Sequence, residues 1–197
     1  MRWALGAGLL LGGMALFTAP AGLNAADEVP KDVKEAILKI ADLLEKGKTD
    51  DAKKEAQALA KKQGYDPAKD VGGFKDPMTI FKPKSKGGLG IGGKGDGIEA
   101  TIITLGKGTK SKLGMDDLKK AAYVTLAIAE ITAASPPTKN GPKKKVADWE
   151  KWAKDMEAAS QDLIKAIEKK DNKGIATSAK NLDGNCSECH QVFRPSS

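Results

Sequence analysis

Both cysteines and the single histidine of the chain fall within one pentapeptide, Cys186-Ser187-Glu188-Cys189-His190. Two thiols about one helical turn apart can add across the two vinyl groups of a porphyrin, and a histidine directly after them is placed to ligate the iron. C-x-x-C-H is the attachment signature of a c-type haem. The other chemistries open to paired cysteines fit less well. A structural zinc site takes four protein ligands and a catalytic one three plus water, and the three Cys and His residues here are too close in sequence to surround one ion. A thioredoxin-like dithiol opens a helix after a strand, and no strand pattern leads into Cys186. A disulfide between the two remains open but leaves His190 without a role. The expected cofactor is therefore one covalent haem c, held by Cys186 and Cys189, with His190 on the iron.

The N-terminus carries a matching export signal. Arg2 is followed by an apolar run over residues 4–17 and by small residues at Ala19, Ala21, Ala25 and Ala26, the pattern of a secretory signal peptide with cleavage expected after Ala25. The apolar run is shorter than the roughly 20 residues that a bilayer core demands. Residues 1–25 are thus read as the signal and 26–197 as a single haem-binding domain with no membrane span once the signal is removed. In bacteria haem is joined to this motif outside the cytoplasm, so a periplasmic location is expected. Losing Arg2 and no acidic residue takes the formal charge from +7 to +6. No aromatic-interleaved basic stretch or nucleic-acid motif accompanies that charge. The partners it points to are redox proteins with acidic faces, not nucleic acid. A charge run such as Lys82, Lys84, Lys86 and Lys94 is a candidate docking patch, though such runs more often only face solvent.

Few aromatics and abundant Ala, Lys, Leu and Glu indicate an all-α chain. Val33, Ile37, Ile40 and Leu44 recur at helical spacing after Pro30 and before Gly47. A second helix with a thin apolar face (Ala52, Ala56, Leu59, Ala60) runs to about Gln63 and ends at Gly64. Residues 65–114 are rich in Gly, Lys and Pro and read as a long insertion crossing one end of a bundle, with a short helix over 98–105. A loop of that length is uncommon in a compact domain unless functional or disordered, and its apolar residues, among them Phe74, Met78, Ile80, Phe81 and Ile102, argue that part of it packs. A lid over the haem edge and a surface excursion are equally open. Gly88 to Gly93 satisfies G-x-G-x-x-G and Gly88 to Lys94 resembles the start of a Walker A loop. Neither sits between a strand and a helix, and Gly95 stands where a phosphate loop needs Ser or Thr.

The second half has three stronger helical patterns. The first starts near Gly114 or Asp116, with Leu118, Ala121, Ala122, Val124, Ile128 and Ile131, and ends before Pro136-Pro137. The next carries Trp149, Ala153, Met156, Ser160, Leu163 and Ile167, a narrow seam of core positions. In the last, starting near Asp171 or Asn172, Ile175, Ala179, Leu182, Cys186, Cys189, His190 and Phe193 share one side. The haem motif then lies in register with the buried stripe, and the porphyrin takes the place of core side chains.

The segment from Trp149 through Arg194 resembles the C-terminal half of the class II c-type cytochromes, the cytochrome c-prime family. The resemblance rests on the Trp and Met of the penultimate helix, the short turn Lys170-Asp171-Asn172, and the run from Cys186 to Arg194. It covers the last third of the chain well, the helix over 116–134 plausibly, and the N-terminal half only loosely. It implies an antiparallel four-helix bundle with haem in its core near one end, here with an extra N-terminal helix and the long insertion. It also implies that Arg194 lies near His190 or a haem propionate, and that the first bundle helix builds the distal side of the haem. The first helix here, residues 31–46, has neither Met nor His. Met78, Met115 and Met156 are the candidate sixth ligands, Met78 foremost, with a vacant position nearly as expected.

One-electron transfer by a periplasmic mono-haem cytochrome, with no enzyme activity, is the function expected. The alternative is a five-coordinate protein that binds NO or CO. A peroxidase fits least, since no second histidine exists to move protons. A homodimer is left open, because no exposed stripe demands one.

Overall fold

The computed structural model describes residues 28–68 and 73–193; the signal-peptide segment and Arg194 lie outside them. The described residues form seven α-helices: α1 (Lys31–Glu45), α2 (Thr49–Gln63), α3 (Lys75–Thr79), α4 (Ile98–Gly106), α5 (Met115–Ala133), α6 (Val146–Glu168) and α7 (Asn172–Phe193), with a 3-10 turn at Lys84–Lys86. Among the described residues the sole β feature is an isolated bridge between Ile91 and Asp96. The all-α expectation holds, and the helix boundaries read from the sequence fall within a residue or two of those observed.

Each long helix is where its apolar spacing puts it. The α6 seam is buried along its whole length, Trp149 through Ile167. In α5 nearly every residue from Ala121 to Thr132 is buried, because the helix has neighbours on several sides. Its interior threonines turn their hydroxyls back on the helix, Thr125 Oγ1 donating to the Ala121 carbonyl (2.9 Å) and Thr132 Oγ1 to that of Ile128 (2.7 Å). Gly64 ends α2 in the left-handed conformation at φ 60°, which glycine adopts without steric cost. The α6–α7 turn is tighter: Lys170 takes φ 53°, and the Asp171 carboxylate accepts from the Lys173 amide at 3.1 Å.

α5, α6 and α7 form an antiparallel set in which α6 packs on both neighbours. The fourth side of the bundle is shared. α1 packs along α5, with α2 folded back on both, while α4 packs along α7. One hydrophobic core runs through all of these elements except α3, whose Met78 packs against its edge.

The insertion is therefore not a loop across one end. Its chain is knitted by backbone hydrogen bonds: Leu89 N to Ile80 O (3.1 Å), Lys84 N to Gly95 O (3.0 Å), Glu99 N to Phe81 O (3.2 Å), and Val29 N to Gly87 O (3.1 Å). Ile80, Phe81, Ile91, Ile98 and Ile102 are buried. The glycines over 88–97 serve this folding. A Cβ at Gly88 would overlap the Lys82 carbonyl, and one at Gly97 would crowd Pro83 and the Phe81 carbonyl. The G-x-G-x-x-G string is thus a backbone-packing device with no strand before it, and the nucleotide reading has no support in the fold. Asp66 pins the start of the insertion to the α5–α6 linker, its carboxylate accepting from the Thr138 hydroxyl at 2.8 Å.

Candidate functional site

On α7 the residues Cys186, Cys189, His190 and Phe193 continue the face that begins with Ile175, Ala179 and Leu182. The first three of that face are buried against neighbouring helices, whereas Cys186, Cys189 and His190 are only half-buried. They look into a cavity of about 410 Å³, within the range of roughly 300–1,000 Å³ typical of ligand sites. α6 contributes Trp149, Trp152 and Met156 to its walls; the insertion contributes Phe74, Met78, Phe81, Glu99 and Ile102. The apolar stripe of the bundle thus opens, at one end, into a space lined by rings, thioethers and the C-x-x-C-H face.

The rings are locked together edge to face. Phe74 meets Trp149 at 5.2 Å between centroids, Trp149 meets Phe193 at 4.9 Å, and Phe193 meets Trp152 at 5.9 Å. Such contacts add about 0.5–1.5 kcal/mol per pair beyond burial. The Trp149 indole N–H donates to the Thr132 carbonyl at 2.7 Å, which fixes its orientation between α5, α7 and the insertion. Trp152 Nε1 donates to Glu188 Oε2 at 3.3 Å, tying α6 to the middle of the pentapeptide.

Both thiols are unbonded. Burial pushes the Cys186 thiol up to about 11, with the Asp183 and Glu99 carboxylates adding to the effect, and burial with Cys186 alongside pushes Cys189 up to about 12. Both are therefore protonated at neutral pH. Among the described residues no cluster of three or more His, Cys, Asp or Glu side chains is arranged to hold a bare metal ion. The donor set, two thiols and an imidazole on one helical face above an aromatic cavity, suits a tethered porphyrin, and the residues present fit that group.

The sequence-predicted residues separate clearly. Cys186, Cys189 and His190 are brought together, with Met78 and Met156 in the same walls. Met115 is elsewhere. It is 38 % exposed and borders a separate cleft with Leu105, Leu118 and Ile175. Of the four candidate docking lysines only Lys82 lines the cavity. One expectation is overturned: none of the cavity's lining residues comes from α1, so the first helix does not build the wall facing α7. α1 is held away by its packing on α5 and α2, and the insertion fills the place. Sequence reasoning did not single out Trp152, Glu99 or the α4–α7 pairing. The available signal was Gly106, the last residue of α4, where a Cβ would come within 3.1 Å of the Lys180 backbone.

A helical bundle whose C-x-x-C-H face borders an aromatic cavity has the donor set and the space that a haem-binding bundle protein needs. The Cytochrome C' family model matches residues 118–194, a match consistent with a class II c-type cytochrome. It spans most of α5, all of α6 and α7, and none of α1–α4. No curated protein and no solved structure matches the chain. No helix of the described residues is long and apolar enough to cross a membrane.

Proposed function

We propose that this protein is an exported mono-haem c-type cytochrome that carries single electrons, its haem tethered through Cys186 and Cys189 with His190 as the proximal iron ligand. The observation that carries the reading is the placement of all three side chains in one wall of the aromatic cavity. The bound haem supplies a reversible Fe(II)/Fe(III) couple, and the protein sets its potential through ligation and burial. Cys186 and Cys189, one turn apart on a well-packed helix, fix the cofactor's position. His190 directly follows Cys189, one turn on from Cys186. Trp149, Phe193 and Phe74 exclude water from that end of the core. No substrate bond is assigned to the site: His190 is the only histidine, so no second imidazole stands ready for proton transfer. The positive net charge supports docking to acidic redox partners. The apolar side chains Phe74, Phe81 and Ile102 favour a second reading, NO or CO binding, if the iron's sixth position is open.

The test is production with the native N-terminal segment in a bacterium competent for haem attachment. The expected result is a chain that keeps one haem after denaturation, shows it by mass and haem staining, and titrates as a one-electron couple. The Cys186→Ala/Cys189→Ala variant should lose the stain completely. A wild-type chain exported without attached haem would defeat the proposal.

A further inference from the structure

A ligand completing the iron opposite His190 must come from an element set back from α7 by the thickness of the cofactor. α4 and α6 do not meet that condition, since both pack along α7. α3 does. It packs on α1 and α5, yet Lys75, Met78 and Thr79 line the same cavity as Cys186, Cys189 and His190. The cavity therefore lies between α3 and α7.

The geometry points to Met78 as the sixth iron ligand, delivered by the insertion in place of the first bundle helix. This rests on the reading of His190 as the proximal ligand. Of the cavity-facing donors on α3, the Thr79 hydroxyl already donates to the Lys75 carbonyl at 3.1 Å. Lys75 is exposed, and an ammonium group has no lone pair to offer a metal, whereas a thioether always does. A thioether has no proton to lose, and methionine opposite histidine is an established pairing for haem iron. Met156 also lines the cavity, but it is 7 % exposed in the seam of α6, beside α7 rather than across from it. Lys82, half-buried, likewise offers an ammonium group in place of a thioether.

The mount of Met78 is rigid. Pro77, Thr79, Ile80 and Phe81 around it are buried, the Phe81 amide donates to the Met78 carbonyl at 3.3 Å, and Phe81 and Ile80 are strapped in turn to Glu99 and Leu89. Met78 alone of residues 77–81 is left half-buried, on the cavity side. A side chain held in place before ligation loses little conformational entropy when it binds. The insertion, which departs from the family-matched segment, then has a chemical purpose.

The test uses the haem-loaded protein in both oxidation states. Expected are a low-spin spectrum, a strongly upfield-shifted methionine methyl resonance in the reduced form, and little response to CO. Met78→Leu should abolish that resonance, give a high-spin ferric spectrum, lower the potential, and raise CO affinity at least about tenfold because the gas no longer competes with the sulfur. Met156→Leu should leave the resonance in place. Met78→His guards against simple misfolding, since it restores a low-spin ferric haem only if position 78 faces the iron. A high-spin, CO-binding wild type, or a resonance that survives Met78→Leu, overturns the assignment. Those results leave haem attachment intact, whereas a wild type without attached haem sinks the reading beneath it.

Discussion

Asp66 and Glu130 are each only 6 % exposed, and the fold treats them differently. Asp66 accepts hydrogen bonds from Thr138 and from the Ala68 amide. Glu130, inside α5, is pushed up from the ordinary carboxyl range by burial first and by the Glu157 charge second, with Lys53 opposing. A carboxyl whose folded pKa is raised binds its proton more tightly in the native state, so stability falls as pH climbs from the unfolded value through the folded one. Glu130→Gln is therefore expected to match the wild type in thermal midpoint near pH 4 and exceed it at pH 7. An unchanged difference between the two pH values would contradict this. The pentapeptide stands at the other extreme, since the order and spacing of Cys186, Cys189 and His190 by themselves pointed to haem attachment as the expected chemistry. Glu130 could not be found that way, because its environment comes from α2 and α6, distant in sequence.

Among the elements, α6 and α7 were legible because their periodicity is strong and both lie on a shared core. The seam from Trp149 to Ile167 is buried where the spacing places it. The insertion was legible only in part. The short helix α4 announced itself through Ile98, Ile102 and Leu105, but nothing local says that it packs on α7. That pairing depends on Gly106, which brings the end of α4 against the backbone of Ala179 and Lys180. Gly106→Val should push the helices apart and destabilise by about 1–3 kcal/mol, the usual cost of overpacking, read from denaturant midpoints. Gly106→Ala should come closer to neutral, its crowding partly offset by the better helix propensity of alanine. Equal stabilities for Val and wild type would mean that the close approach carries no weight. The exposed ion pairs that bridge α1 and α2, Lys39–Glu55 and Lys62–Asp32, are screened by solvent and contribute little. The buried stripes set that hairpin.

At the scale of the molecule, the formal charge of +7 falls by one if the signal is removed and remains strongly positive. Reduction of the loaded protein by an anionic reagent should slow as ionic strength rises, and by a cationic reagent accelerate, since screening acts over about 10 Å at 0.1 M salt. Equal salt slopes for the two reagents would show that the field at the cavity, whose lining includes Lys75 and Lys82 as well as Glu99 and Asp183, is balanced. The sequence by itself determined the long helices, the short helix α4, and the place of C-x-x-C-H on the apolar side of α7. Each of these depends on residues a few positions apart, whose geometry the helix repeat dictates. Only the tertiary structure decided what faces the motif. Phe74, Lys75, Met78, Thr79 and Phe81, more than a hundred residues earlier, line the same cavity as His190. That placement follows from how α1 and α2 occupy α5, leaving the space beside α7 to the insertion, a competition among long-range packings that no local pattern records.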